Sequence, residues 1–138
     1  MSDRKLTDIV IHDRALNALG LETAIVMLEV ARDLRSGAIE AENYDQNRFG
    51  RDERIYTDEG MKDCNTPCCI WGHVCHRMGI YSWSDRATSA ENMTDKDRAL
   101  GWLFASVEDA TPKRAAQAIE NYVISGMDHP WYGTKHIK

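Results

Sequence analysis

The sequence predicts an all-α fold: an irregular bundle of four or five helices around a short central cysteine-rich helix, with long loops between them. Three observations predict it. Apolar residues recur at helical spacing over residues 21–36, 94–107 and 111–125. Thr-Pro pairs and glycines punctuate two segments, Thr66-Pro67 with Gly79 and Thr111-Pro112 with Gly126. Threonine caps, proline opens and glycine closes helices, because of their side-chain oxygen, fixed φ and tolerance of positive φ respectively. Finally, all four cysteines crowd between residues 64 and 75, which does not suit the disulfide framework of a secreted domain. With 138 residues and 43% apolar content, one domain over 1–138 with one core is expected.

In chain order, residues 3–19 carry Leu6, Ile9, Val10, Ile11, Leu16 and Leu19 and read as helix with an early break, although Ile9 to Ile11 also suits an extended segment. Gly20 punctuates it. Residues 21–36 are a stronger helix: Ala24, Ile25, Met27, Leu28, Val30, Ala31 and Leu34 cover more than half its circumference, so several neighbours should bury it. Gly37 is its expected stop. Residues 38–63 are polar and read as a long loop pinned by Tyr44, Phe49, Ile55, Tyr56 and Met61. The central helix follows, then a second loop over residues 80–93. Thr94 is expected to cap a helix whose inner face is Ala99, Leu100, Leu103, Phe104 and Val107. The last helix starts at Thr111-Pro112, buries Ala115, Ala116, Ile119, Tyr122 and Val123, and closes at Gly126. Trp131 and Tyr132 in the tail are expected to dock on the body.

The central helix is expected from the Thr66 cap to Gly79. Projected at about 100° per residue, Cys68, Ile70, Trp71, Val74, Cys75 and Met78 share one arc, and Cys69, His73 and His76 share another. The first is a core face. The second carries soft and borderline ligands at i, i+4 and i+7. One metal could take an adjacent pair plus outside ligands, and Cys64, His12, His129 or His136 could complete a tetrahedral zinc site. Against this stands a solvated helix face beside a packed thiol, the commoner arrangement where pair-of-pairs spacing is missing. Cys69 also has the makings of a nucleophile, being near a helix start with His73 one turn away. No orienting third group follows from the sequence, and a buried structural cysteine is the commoner case. Trp102 falls outside the apolar face of its helix, which leaves a partner or the loops as its neighbours, against the commoner case of core and tail packing.

The net charge of −5 comes from scattered acidic and basic residues. Binding to duplex nucleic acid needs clustered cations and is disfavoured. No stretch approaches the roughly 20 apolar residues of a membrane span, and acidic residues interrupt any apolar signal region near the N-terminus. A cytoplasmic protein is expected. Phosphate-binding glycine loops and Gly-x-Ser-x-Gly elbows are absent.

The motif Cys64-x-Thr66-x-x-Cys69-x-x-Gly72, followed by a Leu103-Phe104 helix and the Thr111 to Ile119 helix start, resembles a group of small uncharacterised proteins of bacteriophages, prophages and bacteria. Asn65 stands where those proteins usually carry glycine. The resemblance spans roughly residues 44–126 in order of elements. It implies a helical architecture and a phage or mobile-element setting, and assigns no catalytic residue.

The expected function is therefore a small cytoplasmic binding or regulatory module whose partner is a protein, such as a host defence protein that it inhibits. No enzymatic activity and no cofactor are expected. The alternatives are a zinc-stabilised domain using Cys69, His73 and His76, and a thiol enzyme using Cys69. Loops on a rigid scaffold carry recognition, and aromatic and arginine side chains anchor it. The expected contact residues are accordingly Tyr56, Tyr81, Trp83 and Arg86, with Tyr44, Phe49, Arg51 and Arg54 beside them.

Overall fold

A computed structural model describes residues 10–41, 44, 69–80, 83–105, 107 and 109–137. Among these residues there are six helices and no strand, so the helical class holds and the helix number exceeds the expected four or five. The helices are α1 (Asp13–Leu19), α2 (Leu21–Ser36), α3 (Ile70–Arg77), α4 (Trp83–Lys96), α5 (Arg98–Phe104) and α6 (Pro112–Val123). No described helix is long and apolar enough to cross a membrane.

The most extensive helix pairing is α2 against α6. Both present small residues to the core, Ala24 and Ala31 from α2 and Ala115, Ala116 and Ala118 from α6, interleaved with Met27, Leu28, Val30, Leu34, Ile119, Tyr122 and Val123. Small side chains let two backbones approach, and the larger ones fill the space between. Helix α3, which carries Cys75 and is preceded by Cys69, packs on the side of α2 and against α4. The organising element is thus the α2–α6 pair, with α3 as its neighbour.

Helix ends follow the expected punctuation in three places. α2 spans Leu21–Ser36 and stops at Gly37, with φ of 88°. α6 opens with the Thr111 hydroxyl accepting from the Arg114 N–H (3.2 Å) and Pro112 in the first turn. α3 ends with Gly79 at φ 76°. There the Ile80 N–H donates to the Cys75 carbonyl (2.9 Å) and the Gly79 N–H to the His76 carbonyl (3.3 Å). This double closure satisfies carbonyls that the helix would otherwise leave without donors.

Elsewhere the structure differs. α1 starts at Asp13, capped by His12, whose Nδ1 accepts from the Arg14 N–H (3.0 Å). The cap of α3 is Cys69, not Thr66: its backbone is extended and its Sγ accepts from the Gly72 N–H at 3.3 Å. Residues 80–93 are largely helix rather than loop, because α4 occupies Trp83–Lys96. Thr94 lies within α4, its hydroxyl donating to the Glu91 carbonyl (3.0 Å). The cap it was expected to supply comes from Asp97, which accepts from the Ala99 N–H at 3.1 Å.

Candidate functional site

The residues at the junction of α1, α5, α6 and the tail form a charged hub with an open cleft beside it. Arg14 projects from α1. Its Nε and Nη2 donate to the two oxygens of Asp97 at 2.7 and 2.9 Å, a bidentate fork that a planar guanidinium suits. Its Nη1 donates to the Gly126 carbonyl (3.2 Å) and to Asp128. Tyr122 of α6 donates its hydroxyl to Asp97 Oδ2 at 2.7 Å. Asp97 therefore caps α5, holds α1 and receives α6 at once.

The electrostatics follow from these contacts. Burial alone would raise the Asp97 carboxyl. Hydrogen bonds from Arg14, Tyr122 and the Ala99 N–H outweigh it and hold the group below the usual carboxylate range. Burial and the bond to Asp97 push the Tyr122 phenol up. The bonds to Asp97, then Asp128, fasten the proton on Arg14.

Beside the hub lies a cleft of about 400 Å³, lined by Arg14, Arg98, Ala99, Trp102, Asp128 and His129. Arg98 and Trp102 stand one turn apart on α5, so their side chains share a face. Trp102 is 51% exposed, and its ring meets His129 edge-on at 5.4 Å between centroids. The opposite wall is the tail, fixed by a second set of contacts. Asn121 donates to the Pro130 carbonyl (2.8 Å), and the Trp131 indole donates to the Leu103 carbonyl (3.2 Å). Buried Arg114 lies over the Trp131 ring at 5.7 Å, with its Nε donating to the Thr134 hydroxyl (3.3 Å) and its Nη1 to the Asp109 carbonyl (3.0 Å). Trp131 thus docks as the sequence predicts, whereas Tyr132 is 77% exposed.

The expected site residues are distributed differently. Cys69 and His73 are buried, so the predicted face of Cys69, His73 and His76 is not a solvated one. α3 is buried from Ile70 through Cys75. Burial pushes the Cys75 thiol up to about 12, and burial followed by the charges of Arg86 and Arg77 lowers the His76 pKa. Among the described residues, no group of three or more His, Cys, Asp or Glu side chains could hold a metal ion. His12 caps α1, His129 faces Trp102, and His136 is exposed.

Arg86, expected at a partner surface, is 0% exposed. Its Nε donates to the Ile80 carbonyl (2.7 Å), and its own carbonyl accepts from the Trp71 indole (2.9 Å). Trp83 is the first residue of α4. Tyr44 is buried. Cys64, Phe49, Arg51, Arg54, Tyr56 and Tyr81 lie outside the described residues. Sequence reasoning did single out Trp102 as off the apolar face. It missed Arg98 and Asp128 and offered His129 only as a zinc ligand; the tail's path brings the three together.

Compared with protein families, curated proteins and solved structures, the chain matches none of them.

Proposed function

We propose that this chain is a helical binding module without enzymatic activity, and that the Trp102 cleft is its recognition site. One observation carries the reading: a half-exposed indole forms one wall of a cleft whose other wall is bonded in place. A large aromatic left in water forgoes the burial that folding normally gives it, and tryptophan is among the side chains that dominate interface energies. A prearranged wall also reduces the ordering entropy of association. The resemblance of the Cys64–Gly72 motif to phage and prophage proteins makes a host protein, such as a defence component, the partner we propose. Burial of Cys69, and its use as the cap of α3, supports a structural role over a nucleophilic one.

The test is site-specific photo-crosslinking in the producing cell. A benzophenone amino acid at position 102 should give an adduct with one protein. The same group at position 132, another exposed aromatic, should not. Equal adducts from both positions, or none from 102, would count against the cleft.

A further inference from the structure

The hydrogen-bonding capacity of the cleft is unevenly committed. Arg14 is engaged by Asp97, Asp128 and the Gly126 carbonyl. Among the described residues, Arg98 takes part in no ion pair or side-chain hydrogen bond, and neither the Trp102 indole N–H nor the His129 ring donates one. Three donors thus surround an open aromatic face. The one acidic side chain in the lining is Asp128, already bonded to Arg14. Donors of this kind, one of them a guanidinium with five N–H groups, are matched by a carboxylate. The indole face beside them is matched by another ring in an offset or edge-on arrangement.

We propose that the cleft takes an acidic-aromatic segment of its protein partner: a ring against Trp102 and a neighbouring carboxylate on Arg98, with the indole N–H and His129 as supporting donors. The proposal rests on the cleft being the recognition site and adds the chemistry of what enters it. The chain as a whole carries a net charge of −5, so the attraction is local. It acts over contact distance rather than by long-range steering, and salt weakens it.

The experiment uses the full chain and three acetylated, amidated peptides. In the first, phenylalanine is flanked by glutamates; in the second, by glutamines; in the third, by lysines. Binding is followed through the indole N–H resonances, with that of Trp102 identified from Trp102→Phe. The glutamate peptide should move the Trp102 resonance and bind about fivefold more tightly than the glutamine peptide, as a partly exposed ion pair allows. Arg98→Gln should erase that preference, Arg98→Lys should keep part of it, and Arg98→Glu should transfer it to the lysine peptide. Arg98 is exposed, so these variants should retain the wild-type circular dichroism. Equal binding of the glutamate and glutamine peptides, a preference for lysine in the wild type, or no movement of the Trp102 resonance would overturn the proposal. A position-102 adduct obtained alongside any of those results would leave the recognition site standing and reject only this ligand chemistry.

Discussion

Asp97 shows how one side chain can decide several elements. It is charged, mostly shielded and bonded to Arg14, Tyr122 and the Ala99 N–H. An asparagine there keeps the shape but loses the charge, and one amide oxygen cannot replace both carboxylate oxygens. Asp97→Asn should cost about 2–3 kcal/mol at neutral pH, the scale for leaving a shielded, charge-assisted network incomplete. Its pH dependence has a defined sign. The folded pKa lies below that of an ordinary aspartate in the unfolded chain, so the stabilisation is complete above the unfolded value and is lost as pH falls through the folded one. Urea unfolding at pH 7 and near pH 3 should show the gap between wild type and Asp97→Asn narrowing in acid. Asp33, bonded by Arg77 (2.6 Å) and Arg32 (3.1 Å), is shifted the same way, so the variant should keep some acid sensitivity of its own. A gap of the same size at both pH values would show that Asp97 contributes through shape alone.

At the scale of helices, the glycine stops and one Thr-Pro start were legible in the sequence, whereas the caps at Cys69 and Asp97 and the buried charge were not. Gly37, Gly79 and the Thr111-Pro112 pair mark ends correctly because their backbone chemistry is local. α4 was hidden because Arg86 occupies an inward position on it. A charged residue there breaks the apolar stripe by which a helix is recognised. The ligand-like face of α3 misled for a related reason: Cys69 precedes the helix as its cap, and His73 is buried although the periodic pattern puts it opposite the apolar arc. The same scale gives a comparison between two closing glycines. Gly79 and Gly126 both hold positive φ, at 76° and 66°. A Cβ on Gly79 would meet nothing within 4 Å, whereas one on Gly126 would sit 2.5–2.7 Å from the His12 ring. Gly79→Ala should therefore cost about 1–2 kcal/mol for conformation alone. Gly126→Ala should cost that and a further 1–3 kcal/mol for the forced displacement of the ring. His12→Ser retains a capping oxygen and removes the ring, so in that background the excess should disappear from a double-mutant cycle. Equal losses at the two glycines would remove His12 from the argument.

For the whole molecule, the tail completes the fold and the cleft together. Gly126, Asp128 and His129 lead it past Arg14 and Trp102, and Pro130, Trp131 and Thr134 then lock it to α5 and α6. The sequence suggested docking of its aromatics but not the part played by Arg114. Only the folded path of the tail gives that buried cation a hydroxyl and a ring. Ending the chain after Gly126 would remove the Trp131 contacts, open Asn121 to water and take Thr134 from Arg114. Loss of one partly buried tryptophan and several hydrogen bonds amounts to about 3–5 kcal/mol. That is a large share of the 5–15 kcal/mol that usually holds a domain together. The truncated chain should melt about 10–20 °C lower, and the Trp102 resonance should shift as its His129 neighbour is lost. Tyr132→Ala removes an exposed ring from the same tail and should change stability by no more than about 0.5 kcal/mol. Calorimetry on the truncated chain, Tyr132→Ala and Trp131→Ala separates the possibilities. If Trp131→Ala reproduces most of the truncation and Tyr132→Ala none of it, the tail acts through its docked tryptophan. If the truncated chain melts within about 3 °C of the full one, the tail is an appendage, and the cleft wall it supplies is not held as the geometry indicates.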